Sequence, residues 1–318
     1  MYEDKVLIKS PIFYMGNKFD LLNDLLPRFP QENEVGKFID LFGGSGVVSL
    51  NVSYKNVLYN EINPNIVELL KLFKDNEAEI IIKDIEDNVK KFKLPTQSCD
   101  VRALHYDEEY KQQYNQSYLD FRKYYNESKE RKYVDLYTLT FFSFSNLIRF
   151  NSSSQFNMPF GNRYFTKEHQ RFIYDACKRL KKKNIEFSNN DSFKVLESIK
   201  DNKDNLFIYL DPPYSNTMAI YNESRAFGGW SIEDDFRLFR ELDRLHKLGV
   251  KWAMSNVLEN KGKFNDHLEK WANDNGYKII HFEDKNYASL GKGNANSKEV
   301  LIINYEEPYK EFDIFDFI

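Results

Sequence analysis

Asp211, Pro212, Pro213 and Tyr214 follow directly on the apolar run from Leu206 to Leu210. Proline has no N–H and a fixed φ, so it cannot extend a strand ladder. Two in succession freeze the backbone just past the strand end. The plain reading is a rigid turn with a surface Asp and a packed Tyr. The chemical reading is a carboxylate and a fixed carbonyl held ready as hydrogen-bond acceptors. Other strand ends carry comparable residues. Gly43, Gly44 and Gly46 follow the run from Phe38 to Phe42 and allow a ligand close to the backbone. They form neither G-x-G-x-x-G nor a turn followed by G-K-[ST], so a dinucleotide and a P-loop phosphate are both disfavoured. Glu61, just after Val57 to Tyr59, lies on the surface or accepts both hydroxyls of a ribose. Asp191 caps a helix or accepts from an adenine amino group, with Phe193 packing on that ring. Taken together, these strand ends fit an adenosine-containing cofactor without a pyrophosphate, and S-adenosylmethionine (SAM) meets that description.

The elements needed to position these groups are legible. The pattern predicts strand, glycine turn, short helix and strand over about 38–59. A helix over 64–74 follows, with Ile66, Leu69, Leu70 and Phe73 on one face and Pro64 in its first turn. Strands are predicted at 185–187, 206–210, up to Asn256, at 278–282 and at 299–305. Between them run helices after Ser192, from Ser231 to about Leu248, and from Leu268 to Asn275. This is an open α/β sheet, in which ligands sit outside the carboxyl ends of the strands. Residues from about 75 to 185 break the pattern. They are polar, rich in Tyr, Lys and Asn, and mostly helical. In their middle, Asn146 to Phe165 carries Ser-rich turn chemistry between aromatic flanks and reads as a β-hairpin or long loop.

With 318 residues, 42% of them hydrophobic, the chain can build two domains. Its net charge of −4 argues against a polyanion partner. Residues 109–185, however, hold 15 Lys and Arg against 7 Asp and Glu, a local +8 in an otherwise acidic chain. The two cysteines, Cys99 and Cys177, suggest no disulfide framework and fit a reducing cytoplasm. No signal peptide, membrane-length apolar run or metal-ligand cluster is visible.

Over nearly its full length the chain resembles the Dam-like (α-group) DNA adenine-N6 methyltransferases. The matching segments stand in the family's order. P-I-F-Y-M-G-N-K-F-D-L-L at 11–22 resembles its N-terminal cofactor motif, with Tyr14 and Lys18 in the aromatic and lysine positions. D-L-F-G-G-S-G at 40–46 resembles its F-x-G-G signature. N-N-D-S-F at 189–193 resembles its adenine-contacting segment, and S-K-E-V-L-I-I-N-Y at 297–305 its closing strand. D-P-P-Y resembles its catalytic motif, and R-F-N…F-N-M-P-F-G at 149–161 its DNA-reading hairpin. Glu61 replaces the commoner Asp, and Ser152 to Ser154 replace a frequent glycine.

The resemblance implies a Rossmann-like SAM-dependent methyltransferase sheet, built from 1–74 and 186–318. A mainly helical target-recognition domain carrying a β-hairpin is inserted at 75–185. It implies SAM contacts from Tyr14, Lys18, Asp40, Phe42, Gly43, Gly44, Glu61, Ile62, Asp191 and Phe193. Double-stranded DNA is the implied partner, met by Arg149, Asn151, Asn157, Pro159 and Arg163, with a separately encoded cognate restriction endonuclease as a further partner. The adenine amino nitrogen is a poor nucleophile because its lone pair is delocalised into the ring. Asp211 and the Pro212 carbonyl, stiffened by Pro213, would accept its two hydrogens as it attacks the SAM methyl. Tyr214 would stack on the flipped base. Neither a metal nor a covalent nucleophile is needed. Cytosine N4, RNA adenine and a glutamine amide are rival acceptors on the same fold. A silent DNA-binding regulator is a rival of another class, against which the intact D-P-P-Y speaks.

Overall fold

The computed structural model describes residues 6–96, 107–214, 229–260, 262–282 and 297–308; Cys99 lies outside them. The chain forms two compact units. One comprises Lys18–Gly43, Asn51–Ile62 and Asn184–Ile318; the other comprises Met1–Asn17, Gly44–Leu50 and Asn63–Lys183.

The first unit is a mixed α/β layer structure around an eight-stranded sheet. Its strands are β1 (Lys37–Asp40), β2 (Asn56–Asn60), β3 (Asn184–Ser188), β4 (Leu206–Leu210), β5 (Lys251–Asn260), β6 (Lys263–Phe264), β7 (Lys278–His281) and β8 (Ser297–Ile303). The order is β3-β2-β1-β4-β5-β8-β7, with the two-residue β6 paired to β5. The five strands from β3 to β5 are parallel; β8 runs antiparallel between β5 and β7. All five residues of β4 are buried, as expected of a central parallel strand covered on both faces. On one face Ile208, Leu210, Trp252, Met254 and Ile302 pack with Leu238, Leu242 and Leu245. Those three leucines come from a helix over Ile232–Lys247, which starts in the expected capping box of Ser231 and Asp234. Gly249, at φ +75°, lies just beyond its C-terminus. On the other face Phe207 meets Phe29 at 4.9 Å and Phe38 at 5.5 Å between ring centres. Strand order reverses between β1 and β4, so their carboxyl ends, Asp40 and Leu210–Asp211, flank the crevice of the sheet.

The second unit is mainly helical. Numbering helices from Leu22–Leu25 as α1 and Val47–Asn51 as α2, it contains α3 (Pro64–Asp75), α4 (Ala78–Lys91), α5 (Glu108–Glu127), α6 (Tyr133–Phe142) and α7 (Lys167–Lys181). Every residue of α6 after Tyr133 is buried, so it is the core around which the others pack. Between α6 and α7 the chain forms an antiparallel hairpin, marked by bridges Ser143↔Phe160 and Phe150↔Phe156. Among the described residues no helix is long and apolar enough to cross a membrane. No group of three or more His, Cys, Asp or Glu is placed to hold a metal there.

Candidate active site

Asp211 sits one residue past β4, and both its oxygens are engaged. Lys18 Nζ lies 2.9 Å from Oδ2. The Tyr214 hydroxyl donates to Oδ1 at 2.8 Å and accepts from Lys18 Nζ at 3.0 Å. The three side chains close a triangle across 196 residues of sequence. Lys18 is deeply covered, its side chain 7% exposed, while Asp211 keeps 19%. Burial alone would drive the Lys18 ammonium toward neutrality. The charges of Asp211, then Glu299 and Tyr209, with the hydrogen bond to Asp211, outweigh it and hold the ammonium above the ordinary lysine range. Pro212 is buried and Pro213 half-buried, so the turn after the strand is fixed by packing as well as by ring closure.

Beneath this triangle lies a polar layer that sequence reasoning missed. The registers Tyr209↔Ala253, Ala253↔Ile303 and Val257↔Glu299 put Tyr209, Ser255 and Glu299 on one face of the sheet. Tyr209 and Ser255 share a hydrogen bond of 2.7 Å. Glu299 is 4% exposed, and its Oε2 has no hydrogen-bond partner among the described residues. Burial raises its carboxyl above the ordinary range; Lys18 pulls it down and Asp211 pushes it further up. A lone acid opening the apolar run of the closing strand was its only signal.

Asn60 is a second omission. It is 1% exposed and ties three strand ends together. Its amide donates to Leu41 O at 3.0 Å and Asn190 O at 3.1 Å. Its Oδ1 accepts from Ser188 Oγ at 2.7 Å and Asn190 N at 3.1 Å, and its carbonyl accepts from Gly43 N at 2.8 Å. The ends of β1, β2 and β3 therefore share one register. Asp40 (1% exposed) and Glu61 (5%) are carboxylates buried at those ends. Gly43 is required by close packing: an added Cβ would fall 2.1 Å from the Tyr59 ring. Gly44 adopts φ +49° in the second unit, with the Tyr14 ring against it. Phe42 is half-buried and Ile62 exposed.

Asp191 proves to be the N-cap of the helix Ser192–Ser198, accepting from Phe193 N at 2.9 Å. Phe193 is 4% exposed. Trp230 lies parallel to its ring at 5.7 Å, and the Arg237 guanidinium stands 4.0 Å over it. That ring is built into an aromatic wall instead of standing open for stacking. Tyr214, at 5% exposure, is likewise covered.

The hairpin of the second unit is held from below by α5. Tyr118 and Arg122 donate to Met158 O at 2.9 and 2.8 Å, and the Asn126 amide clasps Phe156 O and N at 3.0 and 2.8 Å. Gly161 lets the arms cross: a Cβ there would fall 2.4 Å from Ser143 O. Arg149 is exposed and spans the hairpin, its Nε 2.9 Å from Asn157 Oδ1. Asn151 folds the exposed tip by accepting from Ser153 N and Gln155 N, each at 3.0 Å. Pro159 is exposed, and Arg163 is partly spent on Asn146 Oδ1 at 2.8 Å.

Residues 14–287 match the family described as D12 class N6 adenine-specific DNA methyltransferase. The chain is 34% identical over 311 residues to "Modification methylase StsI" of Streptococcus sanguinis, covering 95% of this chain and 44% of that protein. It is 33% identical over 302 residues to "Type II methyltransferase M.FokI" of Planomicrobium okeanokoites, covering 94% and 43%. It is 27% identical over 318 residues to "Type II methyltransferase M1.LlaDCHI" of Lactococcus lactis subsp. cremoris, covering 96% and 98%. The chain thus spans less than half the length of the first two relatives and nearly all of the third.

Proposed function

The chain belongs to the D12 class of N6 adenine-specific DNA methyltransferases, and on that premise we propose that it transfers a methyl group from SAM to the N6 amino nitrogen of an adenine flipped out of duplex DNA. The observation that carries this reading is Asp211, held by a buried lysine and a proline-stiffened turn at the end of the central strand β4. One Asp211 oxygen and the Pro212 carbonyl accept the two amino hydrogens and draw the nitrogen lone pair out of the ring. These acceptors cost little reorganisation because the turn is fixed before the base arrives. SAM, when bound, supplies an electrophilic methyl on a sulfonium. Asp40, the backbone at Gly43 and Glu61 hold its polar groups, with Glu61 on the ribose hydroxyls. Their burial at strand ends tied by Asn60 supports that role. Tyr214 stacks on the flipped base once its hydroxyl releases Asp211.

The helical unit supplies target recognition. Its hairpin presents Arg149, Asn151, Asn157 and Pro159 to base edges, and the basic residues of 109–185 contact phosphates. The relatives named as modification and Type II enzymes support a place beside a separately encoded endonuclease, whose site the methylated adenine would shield. The test is transfer of labelled methyl from SAM to a random-sequence duplex library, followed by mapping of the modified bases. N6-methyladenine in one short motif is the expected result. Label on cytosine, on RNA alone, or nowhere would overturn the reading.

A further inference from the structure

Both oxygens of Asp211 are taken, one by Lys18 and one by Tyr214. An adenine amino group needs an acceptor there, so it has either to share one of these oxygens or to displace a partner from it. Lys18 cannot simply retreat into water: its side chain is 7% exposed, and a buried ammonium without a counter-charge is costly. The same cluster holds a second carboxylate. Glu299 lies on the sheet face of Tyr209 and Ser255, within electrostatic reach of both Lys18 and Asp211, and is 4% exposed. Its Oε2 has no hydrogen-bond partner among the described residues, an arrangement that costs stability as it stands.

We propose that Glu299 is a positioning residue that receives the Lys18 ammonium when Asp211 takes the amino group of the base. The lysine passes from one buried carboxylate to another, so the cluster keeps its net charge and the ammonium is never left without a carboxylate, while Asp211 exchanges it for the hydrogen bond from the base. The orphaned oxygen of Glu299 is then the vacancy into which the ammonium moves. Its resting cost lowers the cost of freeing Asp211. The same shift removes the Lys18 hydrogen bond from the Tyr214 hydroxyl, which loosens that ring for the base. The exchange involves no covalent step. It rests on Asp211 being the acceptor of the adenine amino hydrogens.

The test compares Glu299→Gln, Glu299→Asp and Asp211→Asn with the parent chain, by single-turnover methyl transfer to methylatable duplex DNA and by calorimetric SAM binding. Gln keeps the volume and removes the charge; Asp keeps the charge on a shorter stem. Glu299→Gln is expected to slow single turnover by roughly tenfold or more, because freeing Asp211 then leaves the buried ammonium without a carboxylate, with SAM affinity unchanged. Its melting temperature should hold or rise, because the charge on a buried, incompletely hydrogen-bonded group is gone. Glu299→Asp should recover part of the rate. A Gln variant as fast as the parent would overturn the exchange. So would one that loses its fold, which would make Glu299 purely structural. Asp211→Asn separates the two readings. If it is slow while Glu299→Gln is normal, only the exchange fails; if it turns over at the parent rate, the function assigned to Asp211 fails as well.

Discussion

Lys18 and Asp211 set up a double-mutant cycle whose outcome follows from their geometry. At 2.9 Å and an effective dielectric of 20, the Coulomb attraction is about 6 kcal/mol before desolvation. Much of that is offset, because both groups leave water on folding. Asp211→Asn leaves the ammonium, 7% exposed, without its main counter-charge, and should cost about 3 kcal/mol. Lys18→Met leaves a carboxylate that is 19% exposed and can recruit water, so about 1–2 kcal/mol is expected. The double variant removes both charges and should lie near the milder single, which makes the coupling about 3 kcal/mol. Urea unfolding followed by tryptophan fluorescence measures this directly. All three tryptophans, Trp230, Trp252 and Trp271, lie in the sheet unit and report on it alone. Costs that simply add, to within about 0.5 kcal/mol, would refute a buried, coupled pair.

Glu61→Ala should weaken SAM binding in calorimetry by about tenfold or more while far-UV circular dichroism stays unchanged, since two ribose hydroxyls lose a charged acceptor; equal affinity would move the ribose elsewhere. Arg149→Ala should relax discrimination at one base position by about 1–3 kcal/mol when tested on single-base variants of the target at two salt concentrations, whereas uniform weakening would make Arg149 a phosphate contact. His169 supplies an acid-sensitive contribution to the helical unit. Its Nδ1 accepts from Thr166 N at 3.1 Å, and burial lowers its pKa from 6.5 to about 4. A folded-state value below the unfolded one means stability that is complete above pH 6.5 and lost as pH falls toward 4, up to about 3 kcal/mol. His169→Gln should flatten that slope in urea titrations between these limits, and identical slopes in the two proteins would remove His169 as the cause.

The sheet was legible because its strands announce themselves. Leu206 to Leu210 is continuously apolar and is stopped by two prolines; Ser231 and Asp234 form the capping box their spacing suggests. The hairpin was legible from its turn chemistry, but its support was not. Tyr118 and Asn126 reach hairpin carbonyls 40 and 30 residues away, and bonds from side chains to distant backbone leave no local pattern. The motif at 11–22 points Lys18 to the cofactor, and the structure pairs it with Asp211; pairing at that separation is a property of the folded chain. Asp191 taken alone reads more readily as a cap than as a ligand contact, and its Oδ1 caps the helix Ser192–Ser198. Phe193 and Tyr214 carry rings whose type suits stacking, but residue type does not reveal whether Trp230 or Lys18 already covers them. Asn60 and Glu299 were passed over because each is an ordinary residue until its surroundings close around it.

The sheet order also sets a schedule for synthesis. β1 pairs with β4, more than 160 residues further along the chain, and β2 pairs with β3 across the whole intervening stretch of helices. At ~5–20 residues per second, the ribosome delivers β4 roughly 10–30 seconds after β1. Through that interval β1 and β2 have each other but lack their outer parallel neighbours, β4 and β3. The helices from α3 to α7 emerge in the meantime, and although α3 and α4 pack on α6 and α7 well further along the chain, all of these partners are made before β4. The nascent chain therefore carries a finished helical body and two waiting strands, and Asp211 gains its lysine only when β4 slots between β1 and the strands that follow. Chaperone demand and aggregation risk should accordingly peak in nascent chains that stop between residues 60 and 206.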